Sequence, residues 1–273
     1  MTKVIAIANQ KGGVGKTTTT VNLSASLSAA KQPTLLIDLD PQGSATVGSG
    51  VDKANLANSI NEILLNEATA AQALVQTRWK YDLLPSNGDL TVAEVRLLKS
   101  NHREQCLKEA LALIKANYKY VLIDCPPSLN MLTVNALVAA DSVLVPIQCE
   151  YYALEGLTSL LANIDRIRHS VNPHLKLEGL LRTMYDGRNK LTIEVSQQLI
   201  NHFGDKVYQT VIPRNVRLAE APSHGLPVMN YDKNSQGAIA YLALAGEIIR
   251  RDTSAGISEE TPHNNLKDTI VST

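Results

Sequence analysis

The sequence of 273 residues has few cysteines, no excess charge of either sign and no long apolar run. Its three cysteines, Cys106, Cys125 and Cys149, are far apart and show neither C-x-x-C nor Cys/His ligand spacing. This spacing argues against a disulfide framework and against a zinc site. Basic and acidic residues number 26 each, so any binding to a polyanion has to be local. The apolar stretches are shorter than the ~20 residues that a membrane-spanning helix needs.

The amino-terminal residues do not have the pattern of a secretory signal peptide. A short apolar segment, 4–8, leads directly into a glycine-rich loop, with no long apolar region and no small-residue cleavage site. The composition, 44% hydrophobic and 19% charged without low-complexity segments, is that of a folded globular protein. We therefore expect a cytoplasmic protein with no membrane attachment.

Short aliphatic runs alternate with helical patterns along the chain. Strands are predicted at 4–8, 34–37, 82–84, 121–123, 142–145, 176–184 and 207–212, and helices at 17–30, 91–116, 153–170, 192–202 and 238–250. Because the strands are apolar at nearly every position, helices should cover both faces of the sheet. The sequence thus predicts an α/β fold with a doubly wound, mainly parallel sheet, in one domain over 1–251, followed by a flexible tail over 252–273.

The strongest motif is a glycine-rich loop between the first predicted strand and the first predicted helix. In such a loop, backbone N–H groups converge on phosphate oxygens and the helix adds its positive dipole end. Lys16 would then contact the β- and γ-phosphates, and the Thr17 hydroxyl would bind Mg²⁺. The predicted nucleotide contacts in the loop are Lys11, Gly12, Gly13, Val14, Gly15, Lys16, Thr17 and Thr18.

The loop departs from the usual G-x-x-x-x-G-K-[ST] pattern at its start. Gln10 occupies the position of the first glycine, and an additional lysine, Lys11, follows it. A lysine at this position is poorly placed to fold back onto the phosphates of its own nucleotide. Lys11 is therefore expected to reach another target.

Carboxylates end two of the predicted strands. Asp38 and Asp40 follow the strand at 34–37, and Asp124 follows the strand at 121–123. Because ligands of doubly wound sheets bind at the carboxyl ends of the strands, these side chains should face the nucleotide. Asp124 is the candidate for holding the water shell of Mg²⁺.

These motifs together resemble the deviant Walker A ATPases of the ParA/Soj type, which partition chromosomes and plasmids. The resemblance runs over residues 1 to about 250 through I-A-N-Q-K-G-G-V-G-K-T-T-T, D-L-D-P-Q-G, D-C-P-P-S-L, Q-C-E-Y-Y-A-L-E-G and V-I-P-R-N-V-R-L-A-E-A-P-S-H-G. It implies an ATPase that uses ATP and Mg²⁺ and forms a sandwich homodimer with ATP. It also implies non-specific binding to double-stranded DNA, with release upon hydrolysis stimulated by a ParB-type centromere-binding protein, and hence association with the nucleoid.

The resemblance assigns catalytic and interface roles. Lys11 resembles the signature lysine that crosses the dimer to the partner's phosphates, where Gly12 has to stay small. Glu150 resembles an interface residue near the opposite nucleotide. Asp40 resembles the catalytic carboxylate that orients the attacking water, so that Lys11, Lys16 and Asp40 form the predicted catalytic set. Thr17, Asp40 and Asp124 form the predicted magnesium site.

Two further segments match the family's pattern. Pro213, Arg214 and Asn215 resemble the loop beside the adenine, where backbone groups can read the edge of the base. Ser44 stands where family members commonly have asparagine, and a hydroxyl cannot replace both functions of an amide. The sequence leaves open whether this substitution alters turnover or only the solvation of a loop.

A local excess of positive charge agrees with DNA binding. The segment 164–217 contains nine Lys/Arg and five Asp/Glu within a neutral chain, and a two-fold dimer would present this excess twice. Within it, Arg188 and Arg217 match positions that serve DNA binding in the family. Charge patterning alone would leave them as solvated surface arginines.

Two alternatives use the same scaffold. A MinD-like ATPase that positions membrane or protein cargo needs a basic amphipathic helix at its carboxyl terminus, whereas residues 256–273 contain only one basic residue, Lys267. A relative of the nitrogenase iron protein needs cysteines for a bridging cluster, but the sequence contexts of Cys125 and Cys149 match the partition type. The partition ATPase is therefore the favoured function.

Overall fold

A computed structural model describes residues 1–99 and 101–259 of the chain. Within them, seven strands form one sheet in the order β3-β4-β2-β5-β1-β6-β7. All neighbours are parallel except β3, which is antiparallel to β4. The strands are β1 (Lys3–Ile7), β2 (Thr34–Asp38), β3 (Val75–Gln76), β4 (Asp82–Leu84), β5 (Tyr120–Asp124), β6 (Ser142–Gln148) and β7 (Lys176–Thr183).

Twelve α-helices in the described part of the chain connect and flank these strands. They are α1 (Lys16–Ala29), α2 (Ser44–Gly48), α3 (Ile60–Leu64), α4 (Ala70–Ala73), α5 (Leu90–Leu97), α6 (Cys106–Ala112), α7 (Met131–Ala139), α8 (Ala153–Ser170), α9 (Lys190–Phe203), α10 (Val216–Glu220), α11 (Val228–Tyr231) and α12 (Gln236–Glu259). The predicted doubly wound, mainly parallel α/β fold is confirmed.

Both faces of the sheet are buried, as the uninterrupted apolar strands predict. Along β1, Val4 and Ala6 belong to one core with residues of α3 and α5–α9, while Ile5 and Ile7 belong to another with α1 and α12. Alternate residues of a strand point to opposite faces, so every apolar position of β1 has a helix to pack against. This packing fixes the carboxyl ends of the strands relative to α1, which begins there.

Two predicted elements differ in the structure. The helix predicted over 91–116 is two helices, α5 and α6, because the buried Asn135 side chain binds backbone groups at the start of α6, accepting from Leu107 N and donating to Arg103 O. The strand predicted over 207–212 forms only an isolated bridge at Val207. The N–H groups at positions 209 and 210 donate to the Glu247 carboxylate of α12 instead of to β7.

The carboxyl-terminal helix extends beyond the predicted domain boundary at residue 251. It ends at Glu259, and Asp252 accepts hydrogen bonds from Lys3 Nζ and from the Tyr120 hydroxyl at 2.8 Å. The start of the predicted tail is therefore helical and attached to the first strand. The remainder of that tail, 260–273, lies outside the described residues.

Candidate nucleotide-binding site

The glycine-rich loop joins β1 to α1, as predicted. Gly13 and Gly15 have φ angles of +73° and +88°, a conformation that glycine adopts without the strain of a side chain. Gly15 precedes α1, and no side chain of the described residues caps this helix end. Its first backbone N–H groups thus remain available to an anion.

Two polar side chains that the sequence analysis did not assign hold this loop on the sheet. Asn9 donates to Pro146 O at 2.7 Å and accepts from Lys11 N at 2.9 Å, which connects the start of the loop to β6. The Thr183 hydroxyl donates to Val14 O at 2.8 Å and connects its middle to β7. Asn9 lies within the family motif, whereas Thr183 has no local signal because its partner is distant in the sequence.

Lys16 lies at the centre of the loop with 7% of its surface exposed. Its Nζ donates to Lys11 O at 3.1 Å, which places the ammonium group inside the loop. Burial lowers the pKa of Lys16, although the nearby Asp124 and Asp40 act in the opposite direction. The structure thus places a buried ammonium group inside the loop, where the charges of Asp124 and Asp40 act on it.

Asp124, at the end of β5, is fully buried. Its two oxygens accept hydrogen bonds from the hydroxyls of Thr17, at 2.7 Å, and Thr20, at 3.1 Å. Burial and the charge of Asp38, its register partner on β2, raise the pKa of Asp124 to about 8. The structure therefore brings together the predicted Thr17 and Asp124, and their hydroxyl and carboxylate oxygens are of the kind that Mg²⁺ prefers.

Asp40 lies in the loop after β2 and is half-buried. Its Oδ1 accepts from Gln42 N at 2.9 Å, and its charge contributes to the raised pKa of Asp124. The loop therefore places Asp40 next to Asp124, as predicted for the catalytic and magnesium site. Ser44 is exposed at the first position of α2.

Lys11 points to the outside of the loop. Its Nζ forms an ion pair with Glu150 Oε2 at 2.6 Å, and both side chains are close to half exposed. The structure thus pairs Lys11, predicted to cross the dimer, with Glu150, predicted at the dimer interface, within one chain. Tyr151 and Tyr152, which follow Glu150, are exposed by 76% and 69% and contact each other edge to face.

A cavity of about 230 Å³ opens beside the loop. Pro213, Arg214 and Asn215 line it together with Gly15 and Thr18, so the predicted adenine loop does lie next to the predicted phosphate loop. The Asn215 Oδ1 atom is buried and has no hydrogen-bond partner in the structure. A buried acceptor of this kind is suited to a donor on a ligand.

The two predicted DNA-binding arginines lie on segments that meet beside this cavity. Tyr185 and Pro213 form a parallel bridge, with Arg188 shortly after the first and Arg217 shortly after the second. Both arginines are paired within the chain: Arg188 with Asp186 at 2.8 Å, and Arg217 with Glu220 at 2.7 Å.

One basic residue of the segment 164–217 lies in the interior. Arg182 is 7% exposed and donates to the Ser196 hydroxyl and to the carbonyl oxygens of Tyr208 and Gln209. Its burial means that the charge count of the segment overstates the positive charge at the surface. Arg188, by contrast, has 91% of its side chain exposed.

Comparison with known proteins identifies the family. A family model described as an AAA domain matches residues 2–177. The chromosome partitioning protein ParA of Caulobacter vibrioides is 51% identical over 92% of this chain and 95% of its own length. The chain belongs to the ParA/Soj family of ATPases. With this membership, the ATPase activity predicted from the phosphate loop is supported.

Solved structures share the fold over most of the chain. The crystal structure of cobyrinic acid a,c-diamide synthase from Mycobacterium smegmatis with bound ADP and magnesium is 40% identical, with a TM-score of 0.82, and the match covers 93% of this chain and 97% of that one. The cell division ATPase MinD of Pyrococcus furiosus is 26% identical, with a TM-score of 0.77, over 92% and 100% of the two chains. No helix in the described residues is long and apolar enough to span a membrane.

Proposed function

We propose that this protein is a partition ATPase that binds ATP and Mg²⁺, forms a homodimer with ATP and binds double-stranded DNA without sequence preference. Hydrolysis, stimulated by a ParB-type centromere-binding protein, releases it from DNA. The protein then acts in the cytoplasm on the nucleoid. The observation that carries the proposal is the division within one loop: Lys16 is buried next to carboxylates, whereas Lys11 is exposed.

Nucleotide binding, the first part of the proposal, is supported by three features that adjoin one another. The amino-terminal end of α1 offers uncapped N–H groups for phosphates. The cavity at 213–215 offers space and an unpaired acceptor for the base. Thr17 and Asp124 would hold Mg²⁺, which neutralises phosphate charge when bound. Asp40 would orient the attacking water.

Dimerisation, the second part of the proposal, is supported by the surroundings of Lys11. Among the described residues other than its two chain neighbours, none lies within 4 Å of a Cβ added at Gly12, and the φ angle of Gly12 is not in the left-handed region. The chain itself therefore has room for a side chain there, so a requirement for glycine would come from a second molecule. The exposed Tyr151 and Tyr152 give the same face large apolar groups that a partner subunit can bury.

DNA binding, the third part of the proposal, depends on Arg188 and Arg217, which lie on the two segments that meet beside the nucleotide cavity. Arg188 pairs with Asp186, and Arg217 pairs with Glu220 and Asp232, all of them partly exposed. Surface pairs of this kind add little to stability because solvent screens them. DNA phosphates can therefore replace these carboxylates as partners at little cost. Dimerisation would double the number of arginines facing the duplex.

Fluorescence anisotropy with a non-specific DNA duplex tests the proposal. Binding is measured with ATP, with ADP and without nucleotide over a salt series, for the wild type and for Arg217→Glu. We expect binding only with ATP, weakening steeply with salt because counterions are released, and lost in the variant. Arg96→Glu is the matched control, since Arg96 is also an exposed arginine paired with a glutamate but lies on α5.

Two results would contradict the proposed DNA binding. If no nucleotide state binds the duplex, or if Arg217→Glu and Arg96→Glu weaken binding equally, the assigned surface is wrong. The structural similarity to MinD makes positioning of a membrane or protein cargo the second candidate. ATP-dependent binding to anionic vesicles without binding to DNA would favour that candidate.

A further inference from the structure

Asp38 is a fully buried carboxylate for which the proposed reaction has no role. Its Oδ2 accepts hydrogen bonds from the backbone N–H and the hydroxyl of Thr46, both at 2.7 Å, and its Oδ1 accepts from Asp40 N at 3.3 Å. Burial raises its pKa to about 6. A buried carboxylate is costly to keep in a fold, so its contacts call for an explanation.

These contacts continue into a closed ring of hydrogen bonds. The Thr46 hydroxyl, which donates to Asp38, accepts from Ser86 N at 2.9 Å, and the Ser86 hydroxyl donates to Asp40 O at 2.8 Å. Asp38 in turn accepts from Asp40 N. We call Asp38, Thr46, Ser86 and Asp40 the aspartate ring; it connects the ends of β2 and β4 with α2.

The ring holds Asp40 only by its backbone. The N–H of Asp40 donates to Asp38, and its C=O accepts from the Ser86 hydroxyl and from Gly43 N. The Asp40 carboxylate remains outside the ring and accepts from Gln42 N. Asp38, Thr46 and Ser86 are all fully buried, whereas Asp40 is partly exposed. The loop also packs tightly on the ring, since a Cβ at Gly43 would lie 2.8 Å from Ser86 O.

We propose that Asp38, Thr46 and Ser86 are positioning residues for ATP hydrolysis. By fixing both peptide groups of Asp40, they hold its carboxylate where a water molecule can attack the nucleotide. A reacting group displaced by about 1 Å can lose on the order of 100-fold in rate, so a loop attached at one end only would be a poor catalyst. This inference rests on the role proposed for Asp40.

The test compares Thr46→Val and Ser86→Ala with the wild type in two measurements. Hydrolysis of γ-labelled ATP gives kcat and KM, and titration with a fluorescent ATP analogue gives affinity. We expect kcat to fall about 10- to 100-fold, with KM and affinity within about twofold, because the hydrogen bonds of Thr46 and Ser86 among the described residues do not go to the phosphate loop. Thr46→Ser, which keeps the hydroxyl, restores kcat.

The matched control is Thr34→Val at the other end of β2. Thr34 is also buried and its hydroxyl also makes a hydrogen bond, to Gln32 O at 2.8 Å. If Thr46→Val fails to fold, Ser86→Ala decides alone. Among the described residues, the Ser86 hydroxyl of the wild type makes only the hydrogen bond to Asp40 O.

Two outcomes would overturn the proposal. One is a kcat for Thr46→Val and Ser86→Ala equal to that of Thr34→Val. The other is a loss of ATP affinity that accounts for the whole loss of activity. Asp40→Ala separates this failure from that of the proposed function. If Asp40→Ala is inactive and the ring variants are normal, only the ring lacks its role; if Asp40→Ala hydrolyses ATP normally, the role of Asp40 itself is wrong.

Discussion

Lys11 in the phosphate loop and Glu150 after β6 form an ion pair 2.6 Å long on the face that exposes Tyr151 and Tyr152. Exposed pairs of this kind contribute at most about 1 kcal/mol. Lys11 can therefore exchange Glu150 for a phosphate of a second molecule at little cost. This exchange would connect ATP binding with dimerisation, because only the dimer offers that phosphate.

Lys11→Ala should separate ATP binding from dimerisation. We expect affinity for a fluorescent ATP analogue within about threefold of the wild type, because loss of a solvent-screened contact is small. The ATP-dependent dimer should be absent in sedimentation velocity. Lys108→Ala, at an exposed lysine of α6, is the control and should dimerise normally. A Lys11→Ala dimer as stable as that of the control would refute the crossed contact.

Lys16→Ala should strongly weaken nucleotide binding itself. Its ammonium is buried inside the loop, and a charge-assisted contact there is worth about 1.5–3 kcal/mol. The loss in affinity should be on the order of 100-fold, measured by titration calorimetry with ATP and Mg²⁺. Circular dichroism checks that the variant is folded. Unchanged affinity in a folded variant would show that phosphates do not bind in this loop.

Asn215→Ala should weaken the selection of the base. The Asn215 Oδ1 atom is a buried acceptor without a partner, and its side chain does not cap α10, so the substitution removes no bond present in the structure. If this atom accepts from the amino group of adenine, the preference for ATP over GTP should fall about tenfold, the equivalent of ~1.4 kcal/mol. Competition binding measures the ratio, with Val216→Ala as the control.

The stability of the nucleotide-free protein should fall as the pH rises. Burial and the charge of Asp38 raise the pKa of Asp124 in the folded state to about 8, from an ordinary value of 3.8. Between these values the folded protein holds a proton that the unfolded chain releases, so the free energy of unfolding decreases with pH until about pH 8. Burial also raises the pKa of Asp38, to about 6, so Asp38 adds to the decrease in the free energy of unfolding up to about that pH.

Thermal unfolding in EDTA at pH 5 to 8 measures this slope. Asp124→Asn should flatten it and raise the melting temperature at pH 8, since a buried charge next to that of Asp38 is removed. Asp89→Asn, at an exposed aspartate, should leave the slope as it is in the wild type. An equally steep slope in Asp124→Asn would mean that other groups bind the proton.

Local patterns predicted the nucleotide site because the phosphate loop is a continuous segment. Lys16, Thr17 and Asp124 could be assigned because a glycine-rich loop after a strand and a carboxylate ending another strand meet at one edge of a parallel sheet. The adenine loop and Asp40 needed the family resemblance, since neither has a distinctive local pattern. Asn9 and Thr183 were missed because they act on backbone groups of the loop and not on a ligand.

Helix periodicity and apolar runs predicted most elements but not their interruptions. The split between α5 and α6 depends on Asn135, and the failure of 207–212 to join the sheet depends on Glu247. Each is a side chain distant in the sequence that binds the N–H groups a regular element would have used. Buried backbone groups need a partner, but the sequence does not say which one.

The sequence by itself determined the α/β fold, six of the seven strands, the longest helices and the position of the phosphate loop, because these depend on short-range periodicity and glycine spacing. Only the tertiary structure decided which lysine is buried and which is exposed, that Arg182 is interior, and that Asp38, Thr46, Ser86 and Asp40 close a ring. The physical reason is that burial and hydrogen-bond partners are set by residues brought together from separate strands. Their distances in space are independent of their distances along the chain.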